Sequence, residues 1–420
     1  MLRKKLKTIT VALLSFVLLF GFSPNIVWAE TIQTDSLKTS ELENCTENEI
    51  EEGKKIINTY FDAVNNKNWN EFQKLVSVDS KDFFKSYFKD ENENEGIKQI
   101  DKVKIKNIYY IKDKALADKY YLKNEYNFSE HTVPFIAEID CSVSKENQYF
   151  YNGINYLLIV LSKESNELKV LQTNRPSNEL MEKVVKKALI SENLLSEERS
   201  KAINAVETCN NGLLVNSKGT LIKGDFKVAK IDSNDKNIQL KSSNSTHYTT
   251  CSYSYYIRVK LNKTGNNQIK KVSMPEYIKC TLPNEWMASW PKNSLIAGAY
   301  CVKMDGIYDT IHPVSSTGGY DATQSTQNYI PGKDNSITNA IVNNLVNCGM
   351  ADTNGFIFFA RYGAGTSGQT GSKGSGLLLQ YGSKKLAENG YSYSQILNYY
   401  YSGSNVSSGN VNLFGYNIGF

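Results

Sequence analysis

Apolar residues at Ile50, Ile57, Tyr60, Phe61 and Val64 recur at helical spacing, so the pattern predicts an amphipathic helix beginning after Thr46. Thr46 can cap the free N–H groups of its first turn, and Glu47, Glu51 and Glu52 suit the positive end of its dipole. A second apolar set, Trp69, Phe72, Leu75 and Val76, follows a short polar break. The acidic, Asn-rich stretch 90–96 interrupts the periodicity and reads as a loop. Beyond it the runs 103–111, 133–143, 149–161 and 168–173 are strand-like, the last two joined by a polar turn at 163–167. Helices followed by a meander of strands predict an α+β domain over residues 45–175, preceded by a polar linker at 30–44.

The helical period returns in 176–210, where Met181, Val184, Val185, Ala188 and Leu189 share one face. The reading is a connector whose charges form a solvated face. From Asn211 the pattern is again β, with Ile231 and Ile238 flanking a polar turn. Ile257, Val259 and Leu261 alternate with Arg258 and Lys260, a turn is expected at 264–267, and 269–272 returns as a hairpin. Pro275 then opens a short helix through Tyr277 and Ile278. A longer helix is expected over 294–308, where the small residues Ala297, Gly298 and Ala299 allow close packing.

The N-terminus changes the picture of where this chain works. Arg3, Lys4, Lys5 and Lys7 precede an apolar stretch at 9–22, Pro24 breaks it, and Val27, Trp28 and Ala29 lead to Glu30. This is the order of a cleavable signal peptide spanning 1–29. Its apolar part falls short of the roughly 20 residues a spanning helix needs. The expectation is a secreted, cell wall-associated, extracytoplasmic protein with no membrane span after cleavage. The whole chain carries 48 basic and 43 acidic residues, and the leader accounts for four of the basic ones, which leaves a net charge of +1. Such a balance excludes nucleic acid as the partner, because backbone binding rests on clustered, uncompensated Lys and Arg.

Seven cysteines are widely spread without a Cys-x-x-Cys pair, so their spacing is neither a small disulfide framework nor a zinc site. His131, His247 and His312 are far apart, which leaves little material for a metal centre or a Ser-His-Asp triad, and no cofactor is implied. The Gly-rich run 362–376 lacks phosphate-loop spacing and suits a flexible cleft wall. Chemistry concentrates instead at Glu285, which Trp286 and Trp290 follow within five residues. A general acid must keep its proton near neutral pH, and apolar neighbours that exclude water raise a carboxyl toward that range. Trp faces also stack on sugar rings.

A set of motifs runs in order through residues 255–406. Glu276-Tyr277-Ile278-Lys279 is followed by Leu282-Pro283-Asn284-Glu285-Trp286, Trp290-Pro291 with Ser294, Leu295 and Ala297, and Tyr320-Asp321 with Gln324 or Gln327 before Tyr329. Thr338-Asn339-Ala340, the stretch 368–370, Gln380-Tyr381-Gly382, and the stretches 390–397 and 399–403 complete the set. This region resembles the stage II sporulation protein D and amidase-enhancer family of peptidoglycan-remodelling proteins. The resemblance implies a mixed α/β module over 211–406, with 407–420 as a C-terminal tail. It implies a lytic transglycosylase with Glu285 as catalytic acid, cutting the bond from N-acetylmuramic acid to N-acetylglucosamine in glycan stripped of stem peptides. The same carboxyl would protonate the leaving oxygen and then take a proton from the C6 hydroxyl, closing a 1,6-anhydro ring without a second carboxylate to activate water.

Trp286, Trp290, Gln324, Arg361, Ser367, Lys373 and Gln380 are the candidate contacts for sugar rings, hydroxyls and acetamido groups. Two departures from the family pattern stand out. The stretch 373–380 lacks the histidine of the family's glycine loop, with its glycines out of register by one. Where some members bind zinc, this region offers only His312, Cys280, Cys301 and Cys348, of which Cys280 and Cys301 read as small core thiols. The second reading is therefore a non-catalytic, glycan-binding enhancer of a cell-wall amidase. Residues 45–175 loosely resemble the nuclear-transport-factor-2-like fold, which implies an accessory binding or spacing role.

Overall fold

The computed structural model describes residues 45–122, 126, 128, 131–231, 249–264, 267–345, 348–353, 355–404 and 411–415. The expected leader, the linker at 30–44, His247 and the turn after Ile231 lie outside the described residues. Cys45–Phe420 forms one compact unit of mixed α+β class.

Helix Glu47–Asn65 starts at Thr46, whose side chain accepts from the Glu49 N–H while the Glu49 carboxylate accepts from the Thr46 N–H, a reciprocal capping box. Trp69–Leu75 and Val78–Lys89 follow. Strands β1 (Ile100–Tyr110), β2 (Thr132–Val143), β3 (Gly153–Glu164) and β4 (Glu167–Asn174) then pair antiparallel in chain order. Alternation divides the two faces of this sheet. Phe135, Ala137, Ile139, Leu157 and Ile159 pack against the three helices, while Ile136, Leu158 and Val160 pack beneath Leu180, Val185, Leu189 and Val206 from 178–210. Because both faces are covered, the central strands read as near-continuous apolar runs. The connector is thus a second cover for the sheet, and its charges sit outward in exposed pairs such as Lys183–Glu179 and Lys186–Glu182. The helix Glu197–Asn210 is tied down from within, where fully buried Glu138 accepts from Arg199 Nε (2.7 Å) and from the Tyr109 hydroxyl (2.8 Å).

The second half is built around one buried helix. Strands Tyr256–Lys260 and Ile269–Ser273 form the expected hairpin, and Ala322–Thr323 adds in parallel to its other edge. Ser273 caps the helix Met274–Glu285, which runs further than its opening motif suggests. Lys292–Ile311 is buried along nearly its whole length. Gly298 on this helix lies under the Trp286 ring, where a Cβ would come within 2.6 Å of two ring carbons, and Gly306 lies under Tyr277. The helices Ser336–Asn343, Gln380–Glu388 and Tyr393–Tyr401 complete the surround. Residues 412–415, expected within a tail, form a strand paired antiparallel with Cys348–Ala351. That pairing satisfies an edge whose backbone groups would otherwise face solvent.

The two halves meet across a hydrogen-bonded seam. Thr317 Oγ1 receives the Tyr60 hydroxyl (2.8 Å) and the Thr173 hydroxyl (2.7 Å), and Ile97 N–H donates to the Thr317 carbonyl (2.8 Å). Gly96 and Gly319 both hold positive φ and cross so closely that a Cβ on either would lie within 2.7 Å of the other's backbone. Arg258 spans the seam to Glu93 (2.6 Å). At its centre Asp321, fully buried, accepts from Gln148 Nε2 (3.0 Å), the Tyr149 hydroxyl (2.7 Å) and Arg258 N–H (2.9 Å).

Candidate active site

Pro283 lies in the last turn of Met274–Glu285, and the helix closes with Trp286 N–H donating to the Leu282 carbonyl (2.8 Å). Glu285 therefore stands at a helix C-terminus, where the negative end of the dipole opposes a charged carboxylate. The side chain is half-buried. Its Oε1 accepts from Asn328 N–H (3.1 Å) and its Oε2 from Gln380 Nε2 (2.7 Å). Burial pushes this carboxyl above its ordinary range, and the Asn328 N–H, the Gln380 amide and the Lys263 charge pull it back only in part. A carboxyl so placed can hold a proton, lose it, and remain fixed in direction while doing so.

The other expected site residues divide sharply. Gln380 joins Glu285 directly. Trp286 is fully buried on Gly298, its indole N–H donating to Ser383 Oγ (3.3 Å), and it shapes the site from behind rather than presenting a face to a sugar. Trp290 is also buried, tilted against Tyr381 at 5.1 Å with the Lys384 ammonium 5.9 Å from its ring. Gln324 cannot meet a ligand either. Its oxygen accepts from Lys263 N–H and Thr264 N–H, and its amide donates to Thr264 Oγ1 and the Tyr329 carbonyl, so its polar atoms tie the hairpin turn to the segment at Tyr329. Arg361, Ser367 and Lys373 are exposed on the Gly-rich segment.

That segment is fastened rather than loose. Gly374 and Gly376 N–H donate to the carbonyls of Tyr399 (2.8 Å) and Tyr400 (2.9 Å). The hydroxyls of Tyr399, Tyr400 and Tyr401 donate to the carbonyls of Gly371 (2.9 Å), Thr370 (2.5 Å) and Arg361 (2.7 Å). Three consecutive tyrosines thus staple the wall to the last helix.

Several residues that were not among the candidate contacts complete the surroundings, with Tyr277, Gln327 and Tyr329 lying inside the motifs. Asn328 supplies a backbone donor, and Lys263 bonds its side-chain oxygen (3.3 Å). Tyr277 hydrogen-bonds Gln327 and stacks on Tyr329, with ring centroids 5.6 Å apart. Tyr362 lies against Trp286, and Asp305 is buried on the long helix.

Among the described residues no group of three or more His, Cys, Asp or Glu side chains is arranged to hold a metal ion. His312 is stacked on Tyr308 (4.0 Å) and pushed down to about 4 by burial. Cys280 and Cys301 are buried, Cys301 against the Tyr401 hydroxyl (3.2 Å), and all seven cysteines are unpaired. No helix of the described residues is long and apolar enough to cross a membrane. Two surface grooves lie along the seam, one lined in part by Glu146, Lys223 and Lys271, the other by Tyr87, Lys89 and Asn267, and neither includes Glu285. No family model matches this chain, and no curated protein matches it.

Proposed function

We propose that this is a secreted, cell wall-associated lytic transglycosylase acting on peptidoglycan strands stripped of stem peptides, with Glu285 as its acid and then its base. The observation that carries the reading is the half-buried Glu285 carboxyl, oriented through both oxygens and raised by burial. In the forward step Glu285 gives its proton to the glycosidic oxygen as the muramic carbon–oxygen bond breaks. The C6 hydroxyl of the same muramic ring then attacks that carbon, and its proton passes to the Glu285 carboxylate, which restores the acid and leaves a 1,6-anhydro end. Gln380 and the Asn328 N–H hold the carboxyl in line through both protonation states. Arg361, Ser367 and Lys373 are exposed and carry the donors that sugar hydroxyls would meet. The helix-and-meander half, read as nuclear-transport-factor-2-like, serves as an accessory spacer. The C-terminal half is read as a module like sporulation protein D.

One observation favours the second reading, a non-catalytic glycan binder that stimulates a cell-wall amidase. The Gly-rich wall lacks the family's histidine and is stapled by Tyr399, Tyr400 and Tyr401. The experiment that separates the two incubates wild type and Glu285→Gln with amidase-stripped glycan and with intact sacculi, and reads the products by mass spectrometry. The amide keeps the shape and can still accept from the Asn328 N–H, while its NH2 requires Gln380 to turn its own oxygen toward it; it has no titratable proton, so turnover should fall about 10²- to 10⁴-fold while glycan binding persists. Anhydro-muramic ends from wild type alone support the transglycosylase, and reducing ends indicate a hydrolase. Acceleration of an added amidase, with no cleavage by wild type, replaces the enzyme with the enhancer.

A further inference from the structure

The hairpin beside the candidate site carries a lysine whose charge the fold leaves uncommitted. Strands Tyr256–Lys260 and Ile269–Ser273 are joined by a turn that bears Lys263. The other lysines of this hairpin are spent within the protein. Lys260 lies over the rings of Phe83 (4.7 Å) and Tyr320 (5.3 Å), Lys270 pairs with Glu276 (3.5 Å), and Lys271 pairs with Asp225. Lys263 is exposed, and its ammonium donates to the neutral side-chain oxygen of Asn328 (3.3 Å), with no carboxylate paired to it among the described residues. The lysine is nevertheless aimed. Lys263 N–H and Thr264 N–H donate to the side-chain oxygen of buried Gln324 (2.9 and 3.0 Å), whose amide in turn donates to the Tyr329 carbonyl (2.8 Å). Backbone and ammonium are thus pinned to one segment, at Gln324 and at Asn328. That segment also serves the acid, because Asn328 N–H donates to Glu285 Oε1 (3.1 Å). A single residue holds Glu285 by its backbone and Lys263 by its side chain.

We infer that Lys263 is a specificity residue that binds the lactyl carboxylate of a stripped muramic residue seated at Glu285. This rests on the reading of the site as one for peptidoglycan strands. A stem peptide is joined to the lactyl carboxyl through an amide, so a strand that keeps its peptides is neutral at that point, and removal of the peptide exposes a carboxylate. The lactyl arm leaves C3 of the ring, with a single ring carbon between it and the anomeric carbon where Glu285 acts. A cation held one residue away from the acid matches that reach. An ammonium has three donors, so one can stay on Asn328 while the others turn to the ligand. Its bond to a carboxylate is about twice as strong as a bond between neutral groups, so charge alone favours the stripped strand over the amide. Holding a long exposed side chain in one place costs rotamer entropy, and the tether to Asn328 lowers that cost when the ligand binds. Gln324, which does not meet the sugar, acts through Lys263 by fixing the turn. Lys263 forms no covalent bond and moves no proton.

The test measures binding of three ligands to the full chain, in the Glu285→Gln background so that the strands survive. The ligands are stripped glycan, the same glycan with its lactyl carboxyls converted to primary amides, and strands that keep their stem peptides. Stripped glycan should bind about fivefold to fiftyfold more tightly than the amide form. That preference should shrink as salt is added, because the ammonium is exposed. Adding Lys263→Gln should abolish it, and Lys263→Arg in its place should keep it. A preference that survives Lys263→Gln, or that is absent before it, overturns the proposal even where cleavage by wild type depends on Glu285. Tighter binding of peptide-bearing strands than of the amide form assigns Lys263 to a peptide carboxylate and overturns it as well. A Lys263-dependent preference in a protein whose wild type cuts no glycan keeps the carboxylate site and removes the transglycosylase reading instead.

Discussion

Asp321 at the seam and Glu285 at the candidate site are both carboxyls that burial pushes upward, Asp321 to about 6. Their surroundings differ in where the donors come from and in what remains open. Asp321 is fully enclosed and takes Gln148 and Tyr149 from one half of the molecule and Arg258 from the other. Glu285 takes one donor on each oxygen, both from its own half, and keeps part of its surface in solvent. A raised carboxyl is thus not in itself a mark of chemistry. With its oxygens saturated across an interface it is a clamp, and with access left over it is a group that can exchange a proton with a ligand.

The sharpest way to break that contrast is to remove the clamp. Asp321→Ala leaves three donors buried and unpaired, and should cost about 3–5 kcal/mol of unfolding free energy, read from urea denaturation. A loss below about 1 kcal/mol, the net worth of an ordinary hydrogen bond, would mean the halves do not depend on this residue. The pH dependence has a definite sign. Between the ordinary value of 3.8 and about 6 the native state holds a proton on Asp321 that the unfolded chain has released. The stability this group contributes is therefore full below pH 3.8 and is lost as pH rises toward 6. Asp321→Asn should flatten that decline.

A smaller effect is expected where the acid meets its support. Gly298→Ala would place a Cβ 2.6 Å from the Trp286 ring, and forced overpacking of this kind costs about 1–3 kcal/mol. Because Trp286 is bonded in sequence to Glu285, displacement of the indole should also turn the carboxyl away from Gln380 and lower kcat beyond what the stability loss explains. Equal kcat in a destabilised variant would show that Glu285 is held by Asn328 and Gln380 alone.

Much of the fold was legible because local pattern and tertiary burial agree. The helix after Thr46 and the hairpin at 256–273 lie where their periodicity puts them, and the four strands of the first sheet follow in the expected order, the third at Gly153–Glu164 rather than 149–161. Val78–Lys89 was hidden because Phe83, Phe84 and Tyr87 pack helix and seam together, which blurs a single apolar stripe. The strand at 412–415 was hidden because four residues carry no period of their own and the partner strand, Cys348–Ala351, is distant in sequence. At the candidate site, Glu285 and Gln380 were both singled out in the sequence and the fold joins them by a hydrogen bond, but the sequence could not say where an amide or an indole is spent. Gln324 is consumed by the turn at Lys263, and Trp286 is drawn inward by the space Gly298 leaves.

The smallest effects should come from the exposed side chains of the stapled wall. Ser367 and Lys373 project into solvent, while the backbone beneath them is held by the Tyr399, Tyr400 and Tyr401 hydroxyls. Truncating them to alanine leaves that frame intact, so unfolding free energy should change by no more than about 0.5 kcal/mol. A hydrogen bond to a sugar is worth about 0.5–1.5 kcal/mol, which is a few-fold to about tenfold in affinity. If the contact is equally strong in the ground and transition states, Ser367→Ala and Lys373→Ala should raise KM for stripped glycan by that factor with kcat unchanged. Steady-state kinetics on strands of defined length read both quantities. A fall in kcat at constant KM would place these residues in the reacting step. The separation between a fixed acid and a wall that only binds would then be drawn in the wrong place.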